Sequence, residues 1–304
     1  MSIRDKTIGF IGLGAMGGGM ARNCVEKGFD LLVHDIRPEP VERLVAAGAR
    51  AASGLREIAE TCQVIVTVLP TGREVEEIVM GAGGLFDHAA PGTLVMDLST
   101  IEPETTDTLH ETARARGFRA IDAPIGRLAW HAERGQSLFM VGGEKADFDE
   151  VEPLLAAMGT TIHYCGPGGS GTRTKLVNNF LAIASCQLNA EALALAKRFD
   201  LDLETTLEVI HGTTATNGQL KVNWPNKVLA GDTEPGFTID LAHKDLSLIL
   251  GAANSSRVPV PVGAAAREAF TLARSRGYGG QDFSAMADVL CDSAQIARAR
   301  LGEK

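Results

Sequence analysis

The sequence predicts a doubly wound parallel α/β sheet followed by an all-α domain. Short apolar runs alternate with helical stretches in the first half, and the glycine-rich segment 166–171 separates them from a second half without a strand pattern. Runs that are apolar throughout are typical of strands covered on both faces. The predicted strands are 7–11, 31–33, 64–68, 93–96, 119–121, 138–141 and 161–164. We therefore predict a first domain over 1–165 and a helical domain over 166–304.

The helical domain is predicted to begin with a long interdomain helix. Residues 172–198 contain neither Gly nor Pro and are rich in Ala and Leu, which favours one uninterrupted helix. Its length and apolar character predict burial on most sides, between domains or between subunits. The remaining residues read as further helices, with breaks at Gly212, Gly218, Pro225, Pro235 and 259–261.

Composition excludes several classes of function. The net charge of −9 disfavours nucleic acid as a partner, because phosphate backbones require a basic surface. The apolar runs are too short to span a membrane, residues 1–6 lack the apolar region of a signal peptide, and the five scattered cysteines suit a reducing compartment. The seven histidines show no metal-ligand spacing. We expect a cytoplasmic protein with no metal, nucleic-acid or membrane partner.

A glycine-rich turn predicts a dinucleotide site. Gly12, Gly14 and Gly17 form a G-x-G-x-x-G pattern that follows the first strand and opens a helix. In such a Rossmann fingerprint, the first glycine allows a tight turn, the second admits the pyrophosphate and the third permits close packing of helix on strand. The cofactor-binding turn thus comprises Gly12, Leu13, Gly14, Ala15 and Met16. A flavin or another nucleotide is the alternative ligand.

Asp35 indicates which dinucleotide is bound. It ends the second predicted strand, 18 residues after Gly17, where an acid binds the ribose hydroxyls. Its carboxylate would repel a 2′-phosphate, so we expect NAD, with NADP less favoured. Arg37 could accommodate that phosphate, or it could be an ordinary solvated side chain.

Three polar residues near the start of the long helix predict a catalytic group. Lys175, Asn178 and Asn179 are three and four residues apart and therefore share one helix face. A carbonyl that accepts hydride needs a proton donor, which a lysine in a cleft can supply, and a nearby amide can orient it. The alternative is a surface lysine with two polar neighbours.

Several motifs resemble the β-hydroxyacid dehydrogenase family, which includes 3-hydroxyisobutyrate dehydrogenase and tartronate semialdehyde reductase. The resemblance runs in order from residue 7 to about 285 and rests on the glycine turn and on segments 20–23, 69–70, 97–100, 122–124, 171–179 and 240–246. It implies that Lys175 is the proton donor, with Asn179 as its partner. It also implies that Leu69, Pro70 and Thr100 line the nicotinamide side, that Lys244 reaches the cofactor, and that the helical domain forms a homodimer or homotetramer.

One departure from the family pattern concerns the substrate. The family usually has D-x-P-V-S-G-G, whereas segment 122–128 reads D-A-P-I-G-R-L, so a guanidinium replaces small donors. Gly126 and Arg127, with segments 224–232 and 240–246, are similar to the sulfolactaldehyde reductase branch, where the arginine and the first asparagine (here Asn178) hold a sulfonate. Segment 128–131 and Ala182 depart from that branch. We assign Arg127, Asn178, Thr100 and Gly126 to substrate binding.

Other roles remain open for several of these residues. Arg127 could instead form a structural salt bridge with an acid such as Asp122. Trp130 could pack in the core or line the substrate pocket, and His131 and His243 are interpreted as structural or supporting residues.

These observations predict an NAD-dependent enzyme that interconverts a short anionic aldehyde acid and its hydroxy acid, with 3-sulfolactaldehyde as the first candidate. The alternative substrates are 3-hydroxyisobutyrate, tartronate semialdehyde and succinate semialdehyde. A non-catalytic NAD-binding regulator would keep the glycine turn without needing Lys175, and an imine reductase would typically lack that lysine.

Overall fold

The computed structural model describes residues 2–302, so the ends of the predicted domains at Met1, Glu303 and Lys304 lie outside the described residues. The chain divides into two compact units, the first ending at Lys175 and the second beginning at Leu176. The first turns of the long helix therefore pack with the first unit.

The first unit is built on one sheet, in the strand order β3-β2-β1-β4-β5-β6-β8-β7, with β9 beside β8. Its strands are β1 (Thr7–Ile11), β2 (Asp30–His34), β3 (Arg50–Ala51), β4 (Val64–Thr67), β5 (Leu94–Asp97), β6 (Arg119–Asp122), β7 (Ile125–Gly126), β8 (Ser137–Gly143) and β9 (Gly159–Gly166). All seven predicted strands are present. The sequence missed β3 and β7 because two-residue strands carry too little pattern.

The sheet is parallel from β3 to β6, as predicted, but β8 runs antiparallel to β6 and β7. A parallel crossover needs a dozen or more residues and usually a full helix. The chain between β6 and β8 instead contains β7 and one five-residue helix, α7 (Ala129–Glu133), and turns back on itself. Strand β9 is again parallel to β8 after an intervening helix.

Helices cover both faces of the sheet. In the first unit they are α1 (Gly17–Glu26), α2 (Pro38–Ala46), α3 (Leu55–Thr61), α4 (Gly72–Val75), the π-helix Glu76–Met80, α5 (Leu85–His88), α6 (Pro103–Ala115), α7 and α8 (Lys145–Met158), with a 3-10 turn at Ile3–Asp5. Val64 and Val66 belong to one apolar cluster, whereas Ile65 belongs to a second. Successive residues of β4 thus pack on opposite faces, which explains the continuous apolar runs.

The second unit is helical, as predicted. Its elements are α9 (Ser170–Arg198, whose start belongs to the first unit), α10 (Leu203–His211), α11 (Ile239–Ser255), α12 (Pro261–Ser275) and α13 (Met286–Ser293), with short helical turns at Gln219–Asn223, Trp224–Asn226, Val228–Ala230 and Phe283–Ala285. Its core is centred on the fully buried Trp224, Phe270 and Met286. Within residues 2–302, no helix combines the length and apolarity needed to cross a membrane.

Helix α9 carries one apolar stripe that is exposed in the single chain. Val177, Leu181 and Leu188 are each 65% exposed, and Leu195 is 56% exposed. Within residues 2–302 no element covers this stripe, so burial between subunits, which the sequence also predicts for this helix, stays a prediction.

A buried carboxylate ties the ends of β4 and β5 together. One oxygen of Asp97, Oδ1, accepts hydrogen bonds from the Thr67 hydroxyl (2.7 Å) and the Ser99 hydroxyl (2.6 Å). The Ser99 oxygen in turn accepts from the backbone N–H of Leu69 (2.9 Å). The loops after β4 and β5 are therefore fixed to each other at the carboxyl edge of the sheet.

Burial raises the pKa of Asp97 to about 6, against the opposing effect of the Ser99 and Thr67 hydrogen bonds. A carboxyl group with a folded-state pKa above its unfolded value binds more protons in the folded state. It therefore makes the protein less stable as the pH rises from about 4 to about 6.

We expect Asp97→Asn to remove this pH dependence. An amide oxygen can accept the same hydrogen bonds at Oδ1 without carrying charge. Relative to the variant, the unaltered protein should lose up to about 3 kcal/mol of unfolding free energy between pH 4 and pH 7. Urea unfolding at several pH values measures the difference, and parallel curves for the two proteins would contradict the prediction.

Glu150→Gln provides a control of opposite sign. Hydrogen bonding from Arg119, with a further contribution from Lys6, lowers the pKa of Glu150 to about 2 despite partial burial. Its ionised form therefore stabilises the folded protein, and this contribution should grow as the pH rises from about 2 to 5.

Candidate active site

The glycine turn between β1 and α1 has the conformation that a dinucleotide site needs. Gly12 has φ +91°, and a Cβ there would lie 2.1 Å from the carbonyl oxygen of Val68. A Cβ on Gly17 would lie 2.0 Å from the Gly12 oxygen. By contrast, a Cβ on Gly14 would meet nothing within 4 Å, so the surface over the turn is open. The first and third glycines thus permit close packing, and the second leaves room for a pyrophosphate, as the fingerprint requires.

Asp35 is fixed beside this turn. Its Oδ2 accepts from the backbone N–H of Leu13 (2.7 Å), and its Oδ1 accepts from the N–H of Arg37 (2.9 Å). Burial opposes ionisation, but these N–H groups and the nearby Arg37 guanidinium outweigh it, so the pKa of Asp35 is lowered. The Arg37 side chain lies 3.5 Å from Oδ1 and is 59% exposed. The anion that should face the ribose is thus ionised at neutral pH.

Leu69, Pro70 and Thr100 lie at the same sheet edge as the glycine turn. Leu69 and Pro70 follow β4 and Thr100 follows β5, and β4 pairs in parallel with β1 and β5. The strand order reverses between β1 and β4, and ligands of open α/β sheets bind at such a switch point. The structure therefore brings these three predicted residues together with the turn.

Arg127 lies just after β7 in a left-handed backbone conformation, with φ +74°. Its Nη1 donates to the Gln136 carbonyl (2.6 Å) and the Thr160 hydroxyl (2.9 Å), and its Nη2 donates to the Thr161 hydroxyl (2.9 Å). These partners are neutral, so the alternative of a salt bridge with Asp122 is wrong. Among the described residues, these bonds engage three of the five guanidinium N–H groups.

Gly126 packs against the neighbouring strand. It pairs with Leu138 in β8, and a Cβ would lie 3.0 Å from the Leu138 side chain. This close approach accounts for a glycine at the position and sets the path of the chain into Arg127.

Trp130 and His131 form a stacked pair near Arg127. Their ring centroids are 3.4 Å apart, the Arg134 guanidinium lies over the Trp130 ring, and Trp130 is 42% exposed. Trp130 is thus not a core residue, and a place in the substrate pocket stays a prediction. Burial and the positive charge of Arg127 lower the pKa of His131. His243 contacts the Thr271 hydroxyl (3.0 Å) and Arg274, which agrees with a structural role.

Lys175, Asn178 and Asn179 lie on α9, which carries them over consecutive turns. Lys175 and Asn179 are 9% and 6% exposed, whereas Asn178 is exposed. Asn178 Nδ2 donates to Asn179 Oδ1 at 3.1 Å. Because Lys175 and Asn179 are four residues apart, they share one helix face, and both are largely removed from solvent.

Asp245 is a residue of this site that the sequence did not single out. It is 2% exposed on α11, accepts from Asn179 Nδ2 at 2.6 Å, and lies 3.2 Å from Lys244 Nζ. It therefore links Lys244 to Asn179 and fixes the amide of Asn179 with its oxygen towards Asn178. Its position directly after Lys244, in the segment 240–246 that resembles the family, was the available signal.

Other site types have little support within the described residues. Over residues 2–302 no group of three or more His, Cys, Asp or Glu side chains is arranged to hold a metal ion. All five cysteines are free thiols, and burial raises the pKa of Cys24 and of Cys62 to about 12, so neither is a reactive nucleophile.

Two family models match the chain. The NAD-binding domain of 6-phosphogluconate dehydrogenase matches residues 7–166, and the NAD-binding model of NADP-dependent 3-hydroxyisobutyrate dehydrogenase matches residues 169–290. The two matches meet at the glycine-rich segment.

Curated relatives match over nearly their full length. The chain is 41% identical to 3-sulfolactaldehyde reductase of Escherichia coli K12, covering 94% of this chain and 96% of the relative. It is 37% identical to the NAD-dependent L-serine dehydrogenase of Pseudomonas aeruginosa, with 92% and 96% covered.

The fold matches a solved structure of the same kind. The 3-hydroxyisobutyrate dehydrogenase of Mycobacterium tuberculosis, solved with L-serine, superposes with a TM-score of 0.88 at 29% identity over 95% of this chain and 99% of that one. The matches agree with the resemblance that the sequence motifs carried. The chain therefore belongs to the β-hydroxyacid dehydrogenase family of NAD(P)-dependent oxidoreductases that act on CH–OH groups.

Proposed function

We propose that this enzyme uses NAD to interconvert a short anionic aldehyde acid and its hydroxy acid, and that 3-sulfolactaldehyde is the first candidate substrate. The observation that carries the proposal is the buried Lys175 one helical turn from Asn179, whose amide is held by Asp245. The 41% identity to a 3-sulfolactaldehyde reductase supports the choice of substrate.

The residues at the carboxyl edge of the sheet fit a dinucleotide. The open surface over Gly14 would admit the pyrophosphate, with the N–H groups of Ala15 and Met16 and the start of α1 around it. Leu13 lies in the same turn, where its N–H donates to Asp35. Asp35 would accept hydrogen bonds from the ribose hydroxyls. Leu69, Pro70 and Thr100 would lie along the nicotinamide, and Lys244 would bind the cofactor. When bound, the cofactor supplies or accepts the hydride.

Lys175 is proposed to donate the proton to the carbonyl oxygen during reduction and to remove it during oxidation. Burial strips water from the ammonium group, so that its proton is directed to the substrate rather than exchanged with solvent. Asn179 would orient this group, because its own amide is fixed by the carboxylate of Asp245.

Arg127, Asn178, Thr100 and Gly126 are proposed to hold the acid group of the substrate. A protein of net charge −9 must attract an anion through local donors, and a guanidinium provides planar paired donors. The two N–H groups of Arg127 that have no recorded partner among the described residues are available for this. Asn178 is exposed and can turn its amide to a ligand.

A carboxylate substrate such as 3-hydroxyisobutyrate is the second candidate. The Arg127 guanidinium is already bound by Gln136, Thr160 and Thr161, and a carboxylate needs fewer donors than a sulfonate. The relative from M. tuberculosis is a 3-hydroxyisobutyrate dehydrogenase.

We also propose a homodimer or homotetramer in the cytoplasm. The exposed stripe of Val177, Leu181, Leu188 and Leu195 recurs at spacings of four and seven residues along α9, as in helices that pack against another helix.

We expect Lys175→Ala to lower kcat by about 10²- to 10⁴-fold, because reduction then lacks its proton donor. NADH binding should change by no more than about twofold, since Lys175 is not among the proposed cofactor ligands. Stopped-flow turnover and fluorescence titration measure the two effects. Lys197→Ala, on the same helix, is the matched control, and a Lys175→Ala enzyme with most of its kcat would rule out the role.

We expect Arg127→Ala to raise KM for anionic aldehydes by about 10- to 100-fold and to leave KM for neutral aldehydes nearly unchanged, because a charge-assisted pair is lost. NADH oxidation over a panel of sulfo-, carboxy- and neutral aldehydes measures this and identifies the preferred substrate.

The double variant Thr160→Val/Thr161→Val tests whether Arg127 binds the substrate anion or instead stabilises the local structure through its hydrogen bonds to the two threonines. It removes two partners of the guanidinium without touching Arg127 itself. If Arg127 binds the anion, KM for anionic substrates should stay within about twofold. If KM for anionic substrates instead rises as much as it does in Arg127→Ala, Arg127 has a structural role rather than a role in binding the anion.

We expect Asp35→Asn to lower the preference for NADH over NADPH at least tenfold, or about 1.4 kcal/mol, because the charge that repels a 2′-phosphate is removed while Arg37 remains. The ratio of kcat/KM for the two cofactors measures the preference. Arg37→Ala is the control and should weaken NADPH use alone. An unchanged ratio in Asp35→Asn would contradict the assignment of Asp35 as the selective residue.

A further inference from the structure

The carboxylate of Asp122 holds the start of the helix that carries Lys175. Asp122 is 1% exposed at the end of β6. Its Oδ1 accepts from the backbone N–H of Gly169 and its Oδ2 from that of Thr172, both at 2.8 Å. The first N–H groups of a helix have no partner within the helix, so a side chain from the sheet satisfies them here.

His110 completes the set of donors to this carboxylate. Its Nε2 lies 2.9 Å from Asp122 Oδ1, and its side chain is 13% exposed. An imidazole N–H at Nε2 can donate to this carboxylate oxygen. A buried carboxylate needs several donors to offset its loss of hydration, and removal of one donor leaves it short of a hydrogen bond.

Helix α6, which carries His110, contacts the start of α9 through two further side chains. The Thr106 hydroxyl lies 3.1 Å from that of Thr172, and Asp107 pairs with Arg173 at 2.7 Å. These residues and His110 are spaced so that they share one face of α6.

Glycines allow the helix start to come this close. A Cβ on Gly171 would lie 2.2 Å from the Met140 carbonyl oxygen and 2.9 Å from Asp122 Oδ2. A Cβ on Gly142 would lie 2.6 Å from Asp122 Oδ1. The backbone of α9 thus rests directly on the carboxylate, without a side chain between them.

We propose that Asp122 and His110 act as positioning residues that set the place of Lys175. Thr172, which Asp122 binds, lies three residues before Lys175, less than one helical turn away. A shift at the helix start is therefore passed to Lys175 by a rigid backbone, and a displacement of about 1 Å at a reacting group can cost up to about 10²-fold in rate. The inference rests on the proposed function of Lys175.

A cavity lies beside His110, so the positioning role of His110 can be tested by adding imidazole to a variant that lacks its side chain. The cavity, of about 460 Å³, is lined by His110, Asp107, Arg114, Glu144 and Gly168, among others. A Cβ on Gly168 would lie 2.5 Å from His110 Nδ1, so the ring sits directly under this loop. Because the cavity reaches the ring, added imidazole can enter the space that a truncated side chain leaves.

We expect His110→Ala to lower kcat about tenfold, with KM for the substrate and Kd for NADH within about twofold. Imidazole should restore most of the lost kcat in this variant and should not affect the unaltered enzyme. His110→Gln retains an N–H donor and should keep most of the activity. His110→Phe fills the space without a donor and should show the loss without rescue. An unchanged kcat in His110→Ala, or a loss that imidazole does not reverse in a folded protein, would overturn the proposal.

The double variant His110→Ala/Lys175→Ala separates this proposal from the proposed function. If His110 acts through Lys175, the double variant should have the same kcat as Lys175→Ala, and multiplied losses would overturn the positioning role. If Lys175→Ala keeps most of its kcat, the proposed function of Lys175 fails, whatever the His110 variants show.

Discussion

The buried contact between Asp122 and the start of α9 is the constraint on which the arrangement of the first unit most depends. The carboxylate of Asp122, at the end of β6, accepts one hydrogen bond from the N–H of Gly169, just before α9, and one from the N–H of Thr172 in its first turn. It thereby joins the sheet to the helix that bears Lys175. The contact is possible only because Gly142 and Gly171 leave no side chain between the two backbones.

Carboxylates that accept hydrogen bonds at the ends of strands also occur elsewhere along the carboxyl edge of the sheet. Asp35, just after β2, accepts a hydrogen bond from the N–H of Leu13. Asp97, at the end of β5, accepts hydrogen bonds from the hydroxyls of Thr67 and Ser99, and the Ser99 oxygen accepts one from the N–H of Leu69. Each acid lies at the carboxyl end of an apolar strand and binds donors at the same edge of the sheet. Parallel strands present all these ends on one side, so a set of short polar contacts shapes the whole cofactor edge.

The second unit also contains buried carboxylates that are held by hydrogen-bond donors, here within a helical core. Asp245 is buried between Asn179 and Lys244, and the fully buried Asp282 accepts from the N–H of Gly236 and the hydroxyl of Ser284. Such acids cost desolvation energy that only several donors can offset. They therefore specify one arrangement of the backbone more strictly than apolar packing does. Several buried carboxylates of this acidic protein therefore bind its own backbone N–H groups and polar side chains.

The sequence by itself determined the strand–helix alternation, the glycine turn, Asp35, the long helix and the position of Lys175 within it, because these depend on local periodicity and short spacing. Tertiary structure alone decided that β8 reverses direction, that Arg127 binds Gln136 and two threonines rather than an acid, and that Asp122 caps α9. These features join residues far apart in the chain, and no local pattern encodes which distant donor a carboxylate or guanidinium will meet. The apolar face of α9 is a case in which a local pattern is clear but its partner is not: the sequence predicts that this face is buried, and in the single chain it is exposed.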